Sequence, residues 1–249
     1  MKHFIVGNWK MNQTIKEINT FFDVVNKNSA QFSCEAWIAP QAIHIAPILE
    51  LTQNIKIGAQ NSAPHAKGAF TGEISPASLK ELGASFTIIG HSERRAYFKE
   101  THALLNKKIE AAFAAGLKVI FCVGETSDQR NEDKTFVVIE EQLREGLKSI
   151  IIPEPGALLI AYEPVWAIGT GHTATPEQAQ EVHEFIRVQL QDTFPSSGNT
   201  IPIIYGGSVK PDNIDTLLTQ RDINGALVGG ASLSGEDFSN LCLAASKIN

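Results

Sequence analysis

Eight short apolar runs, separated by longer stretches with helical spacing, constrain this chain more than any other feature. The runs are Phe4–Gly7, Ala36–Ala39, Ile55–Ala59, Phe86–Gly90, Val119–Val123, Leu158–Tyr162, Ile203–Gly206 and Ala226–Gly229. Each has the length of a buried strand. Between them, Phe136, Ile139, Leu143 and Leu147 fall on one helix face, and Val182, Ile186, Leu190 and Phe194 repeat at intervals of four. Thr175-Pro176-Glu177-Gln178 reads as an N-cap, a proline in the first helical position and a capping-box glutamine. Ser75-Pro76 and Ser234-Gly235-Glu236-Asp237 mark further helix starts.

Strands that alternate with helices form a parallel sheet covered by helices. Eight units in 249 residues average about 31 residues each, which suits an α/β fold of the closed (β/α)8 type. A doubly wound open sheet is the alternative. No linker-like or low-complexity stretch divides the chain, so residues 1–249 are expected to form a single domain. In either fold, chemistry belongs at the C-terminal ends of the strands.

Composition narrows the function. The formal charge is -6, against a general nucleic-acid or anionic-membrane binder. No run approaches the ~18 apolar residues of a membrane span, and the start lacks a signal-peptide pattern. Three widely spaced cysteines, Cys34, Cys122 and Cys242, fit buried apolar residues in a reducing cytoplasm rather than a disulfide framework or a zinc site. No dinucleotide fingerprint or metal cluster stands out, so no cofactor and no metal is expected.

The strand ends carry the candidate chemistry. Strand one leads into Asn8-Trp9-Lys10, where Lys10 points to a ligand mouth or is a surface lysine. Strand four leads into Gly90-His91-Ser92-Glu93-Arg94-Arg95. If a helix starts there, its positive end lowers the pKa of His91 and favours a neutral, hydrogen-bond-donating imidazole; a purely structural histidine is the other reading. Glu93, Arg94 and Arg95 read as ion-pair partners bracing the mouth. Strand six ends at Glu163, because Pro164 imposes an extended backbone. The following Val165, Trp166 and Ile168 lead into Gly169-Thr170-Gly171, which suits either an apolar lid or a loop packed statically on the rim. Gly206-Gly207-Ser208 and Gly229-Gly230 follow strands seven and eight. Backbone N–H groups in such turns, each leading into a helix, suit a phosphate, although they also suit tight turns.

Taken in order, Asn8-Trp9-Lys10, Gly90–Arg95, Ala161–Gly171, Tyr205–Val209 and Leu227–Leu233 resemble the triosephosphate isomerase family over essentially the whole chain. The resemblance implies the TIM barrel and the interconversion of dihydroxyacetone phosphate and D-glyceraldehyde 3-phosphate through an enediolate. It implies Glu163 as the base, His91 as the neutral electrophile and Lys10 as a positive charge, with Asn8 hydrogen-bonding nearby. It implies a phosphate grip from the N–H groups of Gly169, Ser208, Gly229 and Gly230, and an apolar pair, Ile168 and Leu227, closing over the glutamate. Cys122 is implied as structural support.

It further implies a homodimer whose interface loop runs from Gln60 to Glu73 and docks through Thr71, with an idiosyncratic middle, Ser62–Ala66. Three places depart from the family pattern: His172 after the lid, Asn224 where aspartate is common, and Gln129–Lys134, which lacks a common glycine. The second departure suggests a missing ion pair near strand eight. Two rival functions remain: a Schiff-base aldolase with Lys10 as nucleophile, and a binding protein that kept the barrel without the catalysis.

Overall fold

The computed structural model describes residues 2–167 and 174–248. The eight expected strands are present: β1 (Phe4–Asn8), β2 (Glu35–Ala39), β3 (Lys56–Ile57), β4 (Phe86–Ile89), β5 (Lys118–Val123), β6 (Leu158–Tyr162), β7 (Ile203–Tyr205) and β8 (Gly225–Val228). All pairs are parallel, in the order β3-β2-β1-β8-β7-β6-β5-β4. The remaining seam between β3 and β4 is joined by a parallel bridge between Ala59 and Thr87. The hydrogen bonds Ser85 N–H to Ile57 O, Ala59 N–H to Phe86 O and Ile88 N–H to Ala59 O reinforce it. The sheet is therefore a barrel, not an open doubly wound sheet.

Ten α-helices are present among the described residues: α1 (Ile15–Asn28), α2 (Ile45–Leu51), α3 (Pro76–Leu82), α4 (Ser92–Tyr97), α5 (His102–Ala114), α6 (Ser127–Asn131), α7 (Thr135–Gly146), α8 (Pro176–Thr193), α9 (Ile214–Leu218) and α10 (Gly235–Lys247). Their starts follow the local chemistry. Thr175 and Gln178 form the reciprocal capping box of α8 with Pro176 in the first turn, and Ser75 and Ser234 cap α3 and α10. Each such cap contributes about 1 kcal/mol. On α7, Ile139 and Leu143 are buried as the spacing predicts, but Phe136 is partly exposed against Phe185 and Leu147 is already the C-cap.

Strand alternation produces two cores. Val6, Trp37, Phe86, Ile88, Ile120, Leu159, Ala161, Ile204 and Leu227 fill the barrel interior, so it is packed rather than hollow. The intervening residues, such as Ile5, Ile38, Phe121, Ile160 and Ile203, pack outwards with Ile18, Phe22, Ile139, Ile186 and Leu190 of the helices. Burial on both faces explains the nearly continuous apolar runs. The same period of two aims Asn8, Gly124, Glu163, Gly206 and Gly229 inwards at the barrel's C-terminal mouth.

Two departures from the family pattern have structural accounts. Asn224 Oδ1 accepts hydrogen bonds from Arg187 Nη2 and from Ile203 N–H, both at 3.0 Å, while Asp222 supplies a carboxylate 3.6 Å from Arg187. Arg187 therefore has an ion-pair partner in Asp222 beside β8 while Asn224 takes a neutral hydrogen bond from it. In the Gln129–Lys134 stretch, Asp133 itself takes the left-handed conformation (φ 55°) on an exposed surface. His172 lies outside the described residues.

Candidate active site

A cleft of about 790 Å³ opens at the C-terminal mouth, lined by Asn8, Lys10, His91, Glu163, the 206–212 turn, Leu227, Gly229, Gly230, Ala231 and Asp237. It brings together Asn8, Lys10, His91, Glu163, Ser208, Gly229 and Gly230, every expected site residue except Gly169. Gly169, Ile168 and the remaining lid residues through Thr173 lie outside the described residues.

Glu163 continues the inward alternation of β6 and is buried, with 2% of its surface exposed. Its Oε1 accepts from His91 Nε2 at 2.9 Å and its Oε2 accepts from Ser92 N–H at 2.9 Å. Burial pushes the carboxyl pKa up, but His91, the Ser92 N–H and Lys10 together pull it below its ordinary value. In this arrangement Glu163 is a held carboxylate, whose basicity rises when those donors leave it.

His91 reaches the cleft through a break in alternation. Ile89 packs outwards, and a regular strand would aim His91 outwards too; Gly90, at φ 79°, turns the chain instead. A Cβ at Gly90 would lie 3.1 Å from Arg95 Nη2 and 3.2 Å from Cys122 O. His91 caps α4, its Nδ1 accepting from Glu93 N–H at 3.3 Å, which places the ring hydrogen on Nε2. The expected lowering of its pKa is reversed. Burial pushes it down and Lys10 adds to that, but the carboxylates of Glu163, from another strand, and of Glu93 together outweigh them, so the imidazole lies above its ordinary value.

Lys10 adopts a left-handed backbone (φ 52°), held by Asn8 Oδ1, which accepts Lys10 N–H at 3.1 Å, and by Gln60 Nε2, which donates to Lys10 O at 2.7 Å. Its ammonium pairs with Glu93 at 2.6 Å. The aldolase reading has no use for the buried Glu163 carboxylate in the same cleft, which weighs against it. Of the other bracing residues, Arg94 pairs with Glu100 at 2.7 Å. Arg95 instead donates to the carbonyls of Gly90 (2.8 Å) and Cys122 (2.9 Å), tying together the ends of β4 and β5.

At the far end of the cleft, among the described residues, a Cβ at Gly230 would meet no atom within 4 Å and one at Gly229 only Lys10 Cε at 3.9 Å. The backbone there is open to a ligand. A short 3-10 helix (Gly230–Leu233) follows Gly229 as expected. After Gly206-Gly207 no helix follows directly: Asn213 folds the turn by accepting Lys210 N–H and donating to Ser208 O, and α9 begins only at Ile214.

The rim residues Val165–Ala167 form a 3-10 turn. The buried carboxylate of Glu125 fastens it, accepting from Trp166 Nε1 at 2.8 Å and Tyr162 Oη at 3.1 Å, while Arg130 pairs with Glu125 and covers the Trp166 ring. Sequence reasoning missed Glu125, Arg95's carbonyl contacts and Gln142, although Glu125 sits at the end of β5 where the strand-end rule would have found it. Cys122 is buried, and burial pushes its thiol well up, which suits support rather than nucleophilic attack. Among the described residues no group of three or more His, Cys, Asp or Glu side chains is placed to hold a metal ion.

The profile of the family described as triosephosphate isomerase matches residues 3–245. Curated relatives of that name include one from Endomicrobium trichonymphae, 47% identical over 96% of this chain and 97% of the relative. Another, from Carboxydothermus hydrogenoformans, is 48% identical over 95% and 96%. The crystal structure of triosephosphate isomerase from Bartonella henselae superposes with a TM-score of 0.90 at 38% identity, covering 98% of this chain and 99% of that one. Similarity of this extent, in sequence and in fold alike, shows that the chain belongs to the triosephosphate isomerase family.

Proposed function

We propose that Glu163, His91 and Lys10 carry out in this cleft the isomerisation that family membership assigns to the chain in glycolysis and gluconeogenesis. The substrate pair is dihydroxyacetone phosphate and D-glyceraldehyde 3-phosphate. A proton next to a carbonyl is a poor acid, so a carboxylate removes it only if the oxyanion that develops is stabilised at once. Glu163 takes the proton from one carbon and returns it to its neighbour. The Nε2–H of His91 donates to the carbonyl oxygen and stabilises the enediolate between the two transfers. Lys10 adds positive charge beside that oxygen, and Asn8 both fixes the Lys10 backbone and lines the cleft. The N–H groups of Ser208, Gly229 and Gly230, with Gly169, grip the phosphate, and Leu227 with Ile168 keeps water from the carboxylate.

The observation that carries this reading is the 2.9 Å contact between Glu163 and the donating nitrogen of His91 in one cleft with Lys10. A coupled assay with glyceraldehyde 3-phosphate on the purified protein tests it. Glu163→Asp withdraws the carboxylate by about one bond length and is expected to lower turnover by about a hundredfold or more. A wild-type rate from that variant would remove Glu163 from its role.

The same reading includes a homodimer. Residues 65–73 form a wholly exposed loop in which His65 stacks on Phe70 at 4.1 Å, and Met11, Ile43 and Phe70 are exposed apolar side chains on loops of the same barrel face. Such residues ask for a cover, and a second copy docking through Thr71 supplies it. A cytoplasmic location fits three free buried thiols; recovery in an oxidising extracellular fraction would count against it.

A further inference from the structure

We propose that Gln142 is a positioning residue for the isomerisation, holding the turn on which the backbone of Glu163 is seated. The inference rests on Glu163 being the group that moves the proton. Gln142 lies on α7, buried on the side that faces the sheet. Its Oε1 accepts the N–H of Gly124 at 2.8 Å, and its Nε2 donates to the carbonyl of the same residue at 3.0 Å. One side chain thus satisfies both peptide groups of one buried residue. A leucine would bury as readily on this face, but it would leave a donor and an acceptor unpaired in the interior.

Gly124 in turn is hard against Glu163. A Cβ at Gly124 would stand 1.8 Å from the Glu163 carbonyl oxygen. The preceding residue accepts Glu163 N–H, at 2.8 Å through Val123 O. Residues 123 and 124 therefore determine where the residue that follows β6 is delivered, and Gln142 determines where residue 124 lies. Three of the four residues proposed to grip the phosphate, Ser208, Gly229 and Gly230, follow β7 and β8 rather than β5 or β6, whereas the Gln142 bonds go to Gly124 at the end of β5. Loss of Gln142 should therefore move the base more than the part of the phosphate grip that stands on β7 and β8. A shift of about 1 Å at a reacting group can cost about a hundredfold in rate.

The test compares Gln142→Met, Gln142→Glu, Glu163→Asp and the double variant Gln142→Met/Glu163→Asp, reading kcat, KM and inhibition by inorganic phosphate. For Gln142→Met, kcat should fall by about tenfold to a hundredfold, with KM and the phosphate inhibition constant within about twofold. A protonated glutamic acid can replace both bonds, its carbonyl accepting and its hydroxyl donating, whereas a carboxylate repels the Gly124 carbonyl. The kcat of Gln142→Glu relative to wild type should therefore rise as the pH falls. In the Glu163→Asp background Gln142→Met should cost less than it does in the wild type, because the two act through one group.

A Gln142→Met kcat within about twofold of wild type overturns the inference. So does a phosphate inhibition constant that worsens in step with kcat, a flat relative pH profile for Gln142→Glu, or full additivity in the double variant. If Glu163→Asp loses its rate while Gln142→Met keeps it, only the role of Gln142 falls; if Glu163→Asp itself keeps the wild-type rate, the base assignment falls and takes Gln142 with it.

Discussion

His183 makes stability depend on pH in a way that can be worked through from the structure. It lies on α8, fully enclosed, with the rings of Tyr162 and Tyr205 at 5.8 and 6.3 Å. Its Nδ1 faces the carbonyl oxygen of Asp222 at 3.2 Å and so carries the ring hydrogen, while Nε2 has no hydrogen-bond partner among the described residues. A second proton would sit on Nε2 with nothing to accept it. Burial pushes the pKa down from its ordinary 6.5 to about 4; the Asp222 carbonyl and carboxylate oppose this, and Arg187 adds to it. The unfolded chain binds this proton more readily than the folded one. Stability on this account is complete above the unfolded value, falls as the pH drops towards 4, and changes no further below it.

At about pH 5 the loss is about 2 kcal/mol, approaching about 3 kcal/mol below the folded pKa. Urea unfolding of the wild type and of His183→Gln at about pH 7.5 and about pH 5 measures it. Glutamine stays neutral, and its amide can still donate towards Asp222 O. The variant should therefore lose about 2 kcal/mol less than the wild type between the two conditions. Equal losses in both proteins would refute the reasoning, because the proton uptake would then belong to another group.

Two further outcomes follow from particular contacts. In Glu163→Gln the carboxylate that raises the His91 pKa is gone, leaving burial and Lys10 to lower it against Glu93 alone. The imidazole should titrate at lower pH than in the wild type by NMR, and an unchanged or higher value would contradict the assignment of cause. Thr71→Arg places a charge on the exposed loop proposed to dock with a second copy, so sedimentation should find a species of 27.1 kDa in place of one twice that mass. A dimer that survives the substitution would remove Thr71 from the interface.

Much of this protein follows from rules that act over a few residues. The short apolar runs determined eight strands, and the caps at Thr175, Ser75 and Ser234 determined where three helices start, because capping bonds span only three positions. Pro164 left Glu163 as the first residue beyond β6 for an equally local reason. The electrostatics of the site were not legible in this way. His91 meets Glu163 across 72 positions of sequence and Lys10 meets Glu93 across 83, and the first of these contacts opposes the pKa direction that the helix end alone implied for His91. The inward turn of His91 depended on Gly90 at φ 79°. The clamp of Gln142 on Gly124 depended on how α7 lies against β5. Periodicity says which face of an element is buried, but not which residue of a distant element it meets. Only closure of the barrel decided that, by bringing the ends of all the strands to one rim, where a carboxylate, an imidazole and an ammonium ion come within reach of one another.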